Sequence, residues 1–474
     1  MEIVAEPDIP THTQVSLDPR ARRAKGKHAR RSTPLDSLAE CGADPGRSPI
    51  DLLSTQAETR VPQLVPIRHG RMASSPFAFY RGAALVMADD LSRTPSSGVI
   101  TQLCGDAHLS NFGIFATPER KLAFDVNDFD ETYPGPFEWD VKRLAASLAI
   151  AAKDNDFTRR QRRRITTACA SEYRETMLEQ AERGNLAVWY SRIQPTRELV
   201  ELRDELDSSM KKRVRKLLEK SVHSDSVHAA GKLTSVVDGR RTITSRPPLI
   251  VPIEEVFADA DATQLYDELH RRLREYASTL QSDRRTLLAQ FEFVQAARKV
   301  VGVGSVGTRA WIVLMRGRDD DPLVLQAKEA QRSVLAGYVD GPQYENEGER
   351  VVHGQRLMQA ASDIFLGWQQ GPGVDGVRRD FYVRQLRDGK GSAVVEAMTP
   401  RGMELYGRLC ARVLAYGHAR GGDRIAMASY LGSGNEFDEA IAGFAKTYAE
   451  RNVRDHQELV AAIDSGRIAA RTGM

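Results

Sequence analysis

The sequence predicts an α+β protein with two unequal parts, a mostly helical large lobe and a small lobe built around an antiparallel sheet. At 474 residues, the chain exceeds the length that one core usually spans, so two or three domains or lobes are expected. Helical periodicity dominates on both sides of residues 297–330, where β-branched runs alternate with glycines and an acidic turn. The 41% apolar and 28% charged residues are typical of a folded globular protein.

Composition and cysteine usage exclude several classes of protein. The longest apolar runs, such as LAASLAIAA at 144–152, are far too short to span a membrane. The N-terminal residues MEIVAEPDIPTHTQ lack the basic start and apolar core of a secretory signal, so a cytoplasmic location is expected. Cys41, Cys104, Cys169 and Cys410 form no C-x-x-C pair, which argues against both a disulfide framework and a structural zinc site.

Residues 1–60 are expected to form a disordered basic tail, because large apolar side chains are few there. The run RARRAKGKHARR at 20–31 lies within it. A net charge of +3 is too small to indicate a nucleic-acid partner, and binding of nucleic acid by the tail is the minority interpretation. The arginine-rich run at 158–177 has an apolar residue at every fourth position, which predicts an amphipathic helix with solvated arginines.

Residues 61–155 are predicted to form the first part of the large lobe. SPFAFYRGAALVMADDL at 75–91 predicts a helix, and GVITQLC after it a strand. Residues 112–116 and 121–126 are apolar runs separated by TPER, the pattern of two strands joined by a turn. After YPGPFE a helix begins, with Asp140 at its N-cap or in its first turn.

Residues 156–294 are predicted to be a mainly helical insert. Within it, KLTSVVDGRRTITS at 232–245 places alternating β-branched residues around Asp-Gly, which predicts a β-hairpin. A helix is expected again from about 261 to 298.

Residues 295–390 are predicted to be the small lobe, with a helix at about 346–366 and a strand at 380–386. Residues 391–474 return to helical periodicity and are assigned to the large lobe. This division places the predicted sheet between two helical stretches of the chain.

Acidic and amide side chains cluster at the ends of the strands predicted between residues 104 and 132. Asp106 and Asn111 are spaced as D-x-x-x-x-N, and Asp128 follows in NDFD. Phosphoryl transfer needs an aspartate that accepts or orients the proton of the nucleophile, and an asparagine and an aspartate that hold magnesium. These three residues appear in that order.

The other polar residues of this stretch have two interpretations each. His108 is interpreted as a residue that orients the loop by hydrogen bonding, with metal ligation or acid–base chemistry as the alternative. Asp125, Asp130 and Glu131 are either further metal ligands or part of a solvated turn.

GVGSVG at 302–307 matches G-x-G-x-x-G, and its flanking residues decide its interpretation. A dinucleotide-binding fold requires a helix after the glycines, whereas the TRAWIVLM that follows predicts a strand. Two strands joined by glycines predict a flap in which the backbone around Gly302, Gly304 and Gly307 covers triphosphate oxygens. An ordinary glycine-rich hairpin is the alternative.

Lys328 stands among apolar residues in VLQAKEA, some 20 residues after the glycines. A solvated edge lysine is the ordinary interpretation, but this strand is also where a kinase fold needs a lysine for the α- and β-phosphates. The helix that follows is then expected to supply an acid for the ammonium, and the sequence does not choose among Glu345, Glu347 and Glu349.

Three motifs, CGDAHLSNFGIF, AFDVNDFDET and PGPFEWDVKRLA, resemble the catalytic loop, the metal-binding loop and the following helix of aminoglycoside and choline kinase-like proteins. That resemblance implies that Asp140 braces the catalytic loop. From about residue 60 to 450, with SPFAFYRG, GVGSVGTR and GQRLMQAASDIFLGW, the chain is more closely similar to the bacterial family called domain of unknown function 2252. This family is grouped with the protein-kinase-like superfamily, which implies a two-lobed kinase-like fold and nucleotide use without an established substrate.

The order of the motifs departs from that of ordinary kinases, because Gly302 to Lys328 follow Asp128 instead of preceding it. A circular permutation is therefore expected, which folded domains tolerate when their ends lie close together. Only DFDETYPGPFEWD spans Asp128 to Asp140, which leaves no room for the long activation segment of typical protein kinases. The resemblance therefore implies a small-molecule kinase or an atypical transferase.

The leading hypothesis is an ATP- and Mg²⁺-dependent phosphotransferase that acts on an unknown acceptor. In it, Asp106 is the catalytic base, Asn111 and Asp128 hold the metal with Asp130 as a further candidate, and Lys328 contacts phosphate. Nucleotidyl (AMP) transfer at the same site and a catalytically inactive nucleotide-binding protein are the alternatives. A metallophosphoesterase is a fourth hypothesis based on GDAH, but the sequence lacks a G-N-H-type partner and the glycines and lysine stay unexplained.

Overall fold

The computed structural model describes residues 18–42, 46–195, 208–222, 226–237, 239–258, 261–300, 302, 304, 306–372, 376–386, 391 and 393–472. The chain folds into a helical part and a smaller part built on a six-stranded antiparallel sheet. This architecture confirms the predicted α+β class. No helix in the ranges above is long and apolar enough to cross a membrane.

The helices and strands are numbered here in chain order. The helices are α1 Pro19–Ser32, α2 Pro49–Ala57, α3 Val65–Met72, α4 Pro76–Gly82, α5 Ala84–Ser92, α6 Phe137–Asp154, α7 Arg159–Glu182, α8 Asn185–Trp189, α9 Ser208–Val222, α10 Ser226–Leu233, α11 Ile253–Val256, α12 Ala262–Ser278, α13 Ser282–Leu288, α14 Glu347–Met358, α15 Pro400–Gly421, α16 Arg424–Leu431 and α17 Glu436–Asp464. The strands are β1 Ile100–Leu103, β2 Phe112–Ala116, β3 Leu122–Val126, β4 Tyr133–Pro136, β5 Thr234–Val237, β6 Arg240–Ile243, β7 Ile250–Pro252, β8 Glu292–Lys299, β9 Ala310–Arg316, β10 Pro322–Ala330, β11 Gly367–Pro372 and β12 Arg378–Gln385.

The basic N-terminal run forms helix α1, which packs against α16. Gly26 is buried in this contact, where an added Cβ would collide with the carbonyl oxygen of Ala426. Arg22 donates to Asp423 at 2.7 Å. The prediction of a disordered tail is therefore wrong for residues 18–42 and 46–60. A small residue and an ion pair secure α1 without large apolar side chains, whereas the residues after α1 bury apolar side chains such as Leu38 and Leu53 in the core. Residues 1–17 and 43–45 lie outside the described residues.

Helix α6 lies at the centre of the helical part, and every residue from Phe137 to Ala152 is buried. It packs against α7, α15 and α17. Strands β1 and β4 pair with each other, and β4 leads directly into α6. Strands β2 and β3 form the predicted two-stranded pair, with Phe112 opposite Val126. The loops that follow β1 and β3 therefore both lie next to the start of α6.

The main sheet has the strand order β11-β12-β10-β9-β8-β7, and all neighbouring strands are antiparallel. One face is covered by α12 and α13, whose Tyr276 and Leu288 share a core with Val313 and Leu325. On the other face, α10 and the hairpin of β5 and β6 share a core with the alternate residues of β9 and β10. The predicted hairpin at 232–245 is confirmed, with Val237 opposite Arg240.

Several predicted boundaries need correction. Residues 292–298 were expected to be helical but form β8, because pairing with β9 overrides the helical propensity of a Gln-Ala-Ala-Arg-Lys run. The sheet-containing part therefore includes residues from Ile250 onward, not only 295–390. The helix expected at 346–366 ends at Met358, and the helix expected at 75–91 is divided into α4 and α5 at Ala83.

Candidate functional site

The loop between β1 and β2 is anchored by Asp140 in the first turn of α6. The backbone N–H groups of Cys104 and Gly105 donate to the Asp140 carboxylate at 2.8 and 3.1 Å. Nε2 of His418 lies 3.2 Å from the same carboxylate, and its Nδ1 lies 2.8 Å from the Tyr173 hydroxyl. Because all these groups are buried, the hydrogen bonds fix the loop to the core of the helical part.

This loop carries Asp106, His108 and Asn111. Arg143, one turn beyond Asp140 on α6, donates through Nε to Oδ1 of Asp106 at 2.6 Å. Asn111 Nδ2 donates to the backbone oxygen of Asp106 at 2.8 Å, which leaves the Asn111 side-chain oxygen available to a ligand. Nε2 of His108 lies 3.6 Å from Oδ2 of Asp106.

The two titratable groups of the loop have shifted pKa values. Burial raises the pKa of Asp106 and outweighs the opposing effect of Arg143. Burial and the nearby Arg143 and Arg81 hold the pKa of His108 well below its usual value. His108 is therefore a neutral imidazole at physiological pH, and Asp106 is a better proton acceptor than an ordinary aspartate.

Lys328 lies at the opposite side of the site, on β10. Its ammonium contacts Asp130 and lies 3.7 Å from Oδ2 of Asp128. Asp130 also accepts a hydrogen bond from the Tyr382 hydroxyl at 2.8 Å. The lysine side chain is only 4% exposed, whereas the side chains of Asp130 and Asp128 are 25% and 31% exposed, so this contact links the sheet to the turn that follows β3 at the edge of the cleft.

The two aspartates of this turn have pKa values that move in opposite directions. Burial and the negative charge of Asp130 raise the pKa of Asp128. Burial acts in the same direction on Asp130, but Lys328 and Tyr382 outweigh it and lower its pKa. For Lys328, the two carboxylates outweigh burial and raise the pKa, so the lysine is charged.

The prediction that helix α14 or its start supplies the acid for Lys328 is wrong. Glu347 pairs with Arg350, Glu349 lies 3.8 Å from His353, and Glu345 makes no contact with Lys328. Instead, α14 presents Arg350, which donates to the backbone oxygens of Asp130, Thr132 and Gln331. The helix thus holds the acidic turn through its backbone, and the turn itself provides the carboxylates for the lysine.

A solvent-open cleft of about 410 Å³ lies between the two parts and brings the predicted polar residues together. Its lining includes Asp106, His108, Asn111, Asp128, Asp130, Lys328, Gly302 and Gly304. Gly307 does not line it: this residue has a φ of 95°, faces the Arg60 side chain, and accepts a hydrogen bond from the Val61 N–H at 2.8 Å. Val301, Val303 and Ser305 lie outside the described residues.

Most of the cations in the cleft were not predicted from the sequence. The described lining contains six cationic side chains and four acidic ones, a formal excess of two positive charges; they are Arg60, Arg71, Arg81, Lys299, Lys328 and Arg384, with Asp106, Asp128, Asp130 and Glu131. Burial raises the pKa of Glu131 to about 7, which reduces its negative charge further. The cleft is therefore suited to a polyanion such as a triphosphate.

A magnesium ion would find a small set of oxygen ligands in this cleft. Within the described ranges, no group of three or more His, Cys, Asp or Glu side chains is arranged to hold a metal. Asn111 and Asp128 provide hard oxygen atoms, whereas Asp130 is engaged by Lys328 and Tyr382. Because Mg²⁺ is usually held by one or two carboxylates together with substrate phosphates, these residues fit an ion that arrives with a nucleotide.

The other two acidic residues from the sequence prediction have structural contacts. Asp125 accepts hydrogen bonds from the N–H groups of Val126 and Ala360 at 2.9 and 3.1 Å and does not line the cleft. Glu131 lines the cleft and accepts from the Val334 N–H at 2.8 Å. Asp125 is therefore not positioned as a metal ligand.

The fold and the site together define an α+β protein with a cationic cleft between a helical part and an antiparallel sheet. Residues 60–462 match the model of the family described as "Uncharacterized protein conserved in bacteria (DUF2252)", so the chain belongs to this family. No curated protein and no solved structure matches the chain.

Proposed function

We propose that the protein is an ATP- and Mg²⁺-dependent phosphotransferase with a circularly permuted, kinase-like arrangement and a small-molecule acceptor. One observation carries the proposal: Lys328 lies within 3.7 Å of Asp128, a residue 200 positions earlier in the chain. Both line the same cleft as Asp106, Asn111 and the glycines of the predicted flap. Phosphoryl transfer in protein kinases uses this combination of groups.

In this proposal, each residue has a role that follows from its position in the cleft. Lys328 contacts nonbridging phosphate oxygens, and the backbone around Gly302 and Gly304 covers the phosphates. Asn111 and Asp128 hold Mg²⁺, which neutralises charge on the phosphates. Asp106 accepts the proton of the acceptor hydroxyl while the hydroxyl oxygen attacks the γ-phosphorus and ADP leaves.

The connectivity supports the kinase-like arrangement. Strands β8, β9 and β10 are adjacent in the sheet, the glycine segment joins the first two, and Lys328 lies on the third, followed by helix α14. In protein kinases, the phosphate-binding lysine is likewise on the third strand and a helix follows it.

The ends of the chain support the permutation. The Arg471 N–H donates to the carbonyl oxygen of Pro66 at 2.8 Å, and Leu459 and Ala462 of α17 share a core with Met72 and Phe79. The start and the end of the family region therefore lie side by side, as a circular permutation requires.

The proposal is tested by isothermal titration of ATP with and without MgCl₂, for the wild type and Asp128→Asn. We expect Mg²⁺ to increase the ATP affinity of the wild type. In the variant, the ratio of the affinities with and without Mg²⁺ should be at least tenfold smaller. Asp319→Asn is the matched control, because its side chain is 86% exposed on the turn between β9 and β10. The proposal fails if the wild type binds no ATP, or if Asp128→Asn keeps the full effect of Mg²⁺.

The products of turnover distinguish the reaction types. Incubation with Mg²⁺-ATP and a bacterial metabolite extract would yield ADP from phosphoryl transfer and pyrophosphate from nucleotidyl transfer. A two-metal phosphoesterase is disfavoured, because such sites need several histidines and carboxylates around the metals, and the described residues contain no such group.

A further inference from the structure

A second cavity, of about 470 Å³, lies on the other face of the main sheet, between the sheet and helix α12. Ala327 lines it, whereas the neighbouring Lys328 lines the polar cleft, because successive side chains of a strand point to opposite faces. The sheet therefore separates the two sites, and the second is independent of the proposed phosphotransferase centre.

The lining of this cavity is mainly apolar and includes large, incompletely buried side chains. Phe257, Leu269, Leu273 and Trp311 are partly exposed, and the rings of Phe257 and Trp311 stack at 6.0 Å. Lining residues come from every strand between β8 and β11 in the sheet order. Four spacings between strands correspond to a length of about 19 Å, so the cavity is long enough for an extended apolar chain.

The cations of the cavity differ in their partners. Arg272 pairs with Glu268, and Arg309 and Arg379 both pair with Glu329. Arg298 is also partly buried, but in the described part of the chain its guanidinium has neither an acidic nor a hydrogen-bonding partner, and its Nε is buried. Burial accordingly lowers the pKa of Arg298, with no acid nearby to oppose it.

The buried Nε of Arg298 has no acceptor among the described protein groups, and an anion bound at the guanidinium would supply one. We propose that this cavity binds a long-chain fatty acid, with its carboxylate at Arg298 and its acyl chain between α12 and the sheet. An apolar chain of this length satisfies the shape of the cavity, and the carboxylate supplies the charge that the described protein groups lack.

The experiment uses the intrinsic fluorescence of Trp311, which lines the cavity. Titration of the full chain with dibromostearate, whose bromines quench tryptophan at short range, should give saturable quenching that palmitate reverses. Trp311→Phe should lose most of this quenching, although Trp139, Trp189 and Trp368 remain. Equal quenching in Trp311→Phe would place the fatty acid elsewhere and overturn the proposal.

The role of Arg298 is tested by Arg298→Met, which keeps an apolar stem and removes the charge. We expect about tenfold weaker palmitate binding, with hexadecanol bound equally by variant and wild type. Arg318→Met is the matched control, because Arg318 is 93% exposed on the turn between β9 and β10. Unchanged palmitate affinity in Arg298→Met, or equal affinity of the wild type for hexadecanol and palmitate, would refute the assigned carboxylate site.

Discussion

The contact of Lys328 with the acidic turn predicts a strong energetic coupling between the two parts of the protein. Replacing Lys328 by Met leaves Asp128 and Asp130 close together without their ammonium partner. At 3.7 Å and an effective dielectric constant of about 20, the attraction to Asp128 alone is about 4.5 kcal/mol. The desolvation of Lys328, which the variant no longer suffers, offsets part of this, so we expect a net loss of about 2–3 kcal/mol in unfolding free energy.

A double-mutant cycle isolates this coupling. Asp130→Asn removes the carboxylate that Lys328 contacts in the wild type. The loss of unfolding free energy in the double variant Lys328→Met/Asp130→Asn should therefore be about 2 kcal/mol smaller than the sum of the losses in the two single variants. Unfolding free energies would be measured by urea denaturation, followed by both circular dichroism and tryptophan fluorescence so that a two-state transition can be verified. Lys121→Met, at an exposed lysine between β2 and β3, is the control. Additivity within 0.5 kcal/mol would refute the coupling.

The sign of the pH dependence provides an independent check. The pKa of Asp130 lies below its usual value because Lys328 and Tyr382 outweigh burial, so its contribution to stability is present above the unfolded pKa of about 4 and is lost as the pH falls through the lower folded pKa. In Lys328→Met, burial and the neighbouring Asp128 should raise this pKa instead. The stability difference between wild type and variant should therefore shrink between pH 7 and pH 4, and a difference that grows would contradict the explanation.

Three further predictions concern the core and the N-terminal helix. Asp140→Ala removes the acceptor of two loop N–H groups, so urea denaturation should show a loss of about 3–5 kcal/mol in unfolding free energy. Amide hydrogen exchange should also accelerate at residues 104–111, and unchanged protection of these amides would contradict the bracing role of Asp140. Burial raises the pKa of Asp125 to about 6, so the stability that its protonation provides is present below pH 4 and lost as the pH rises through about 6. The unfolding free energy of the wild type, relative to that of Asp125→Asn, should therefore fall by about 3 kcal/mol from pH 4 to pH 8. A difference between the two proteins that does not change with pH would refute the raised pKa of Asp125. Gly26→Leu should detach α1 from α16, measured as proteolysis between residues 19 and 32, whereas Lys27→Leu on the exposed face should not.

The local features of the fold were predictable because they depend on neighbouring residues. Alternation around Asp-Gly specified the hairpin of β5 and β6, and the TPER turn specified the pair of β2 and β3. Strand β8 was missed because it forms through pairing with β9, and this pairing cannot be recognised from the propensities of its own residues. Helix α1 was missed because its stability depends on a close approach to α16 at Gly26, a residue that lowers helix propensity.

The shared cleft of Asp106, Asn111, Asp128 and Lys328 could be predicted from the residue types that phosphoryl transfer requires. Their charge partners were not predicted. Arg143 follows Asp140 by three positions on one face of α6, and this spacing was a usable signal for a side chain directed at the same loop. Arg60 and Arg81 offered no such signal, because Arg60, in the segment after α2, and Arg81, on α4, reach the cleft only through the tertiary packing of these elements.

The acidic turn after β3 is held by side chains from three elements of the sheet-containing part. Lys328 of β10 and Tyr382 of β12 contact the carboxylate of Asp130, and Arg350 of α14 contacts its backbone oxygen. These contacts within the site help to join the two parts of the protein, so we expect a substitution in this turn to affect their relative position as well as the cleft chemistry. A loss of ATP binding in Asp128→Asn therefore supports a metal-binding role only if Mg²⁺-independent binding and unfolding free energy change little, since misalignment of the parts would weaken binding with and without the metal.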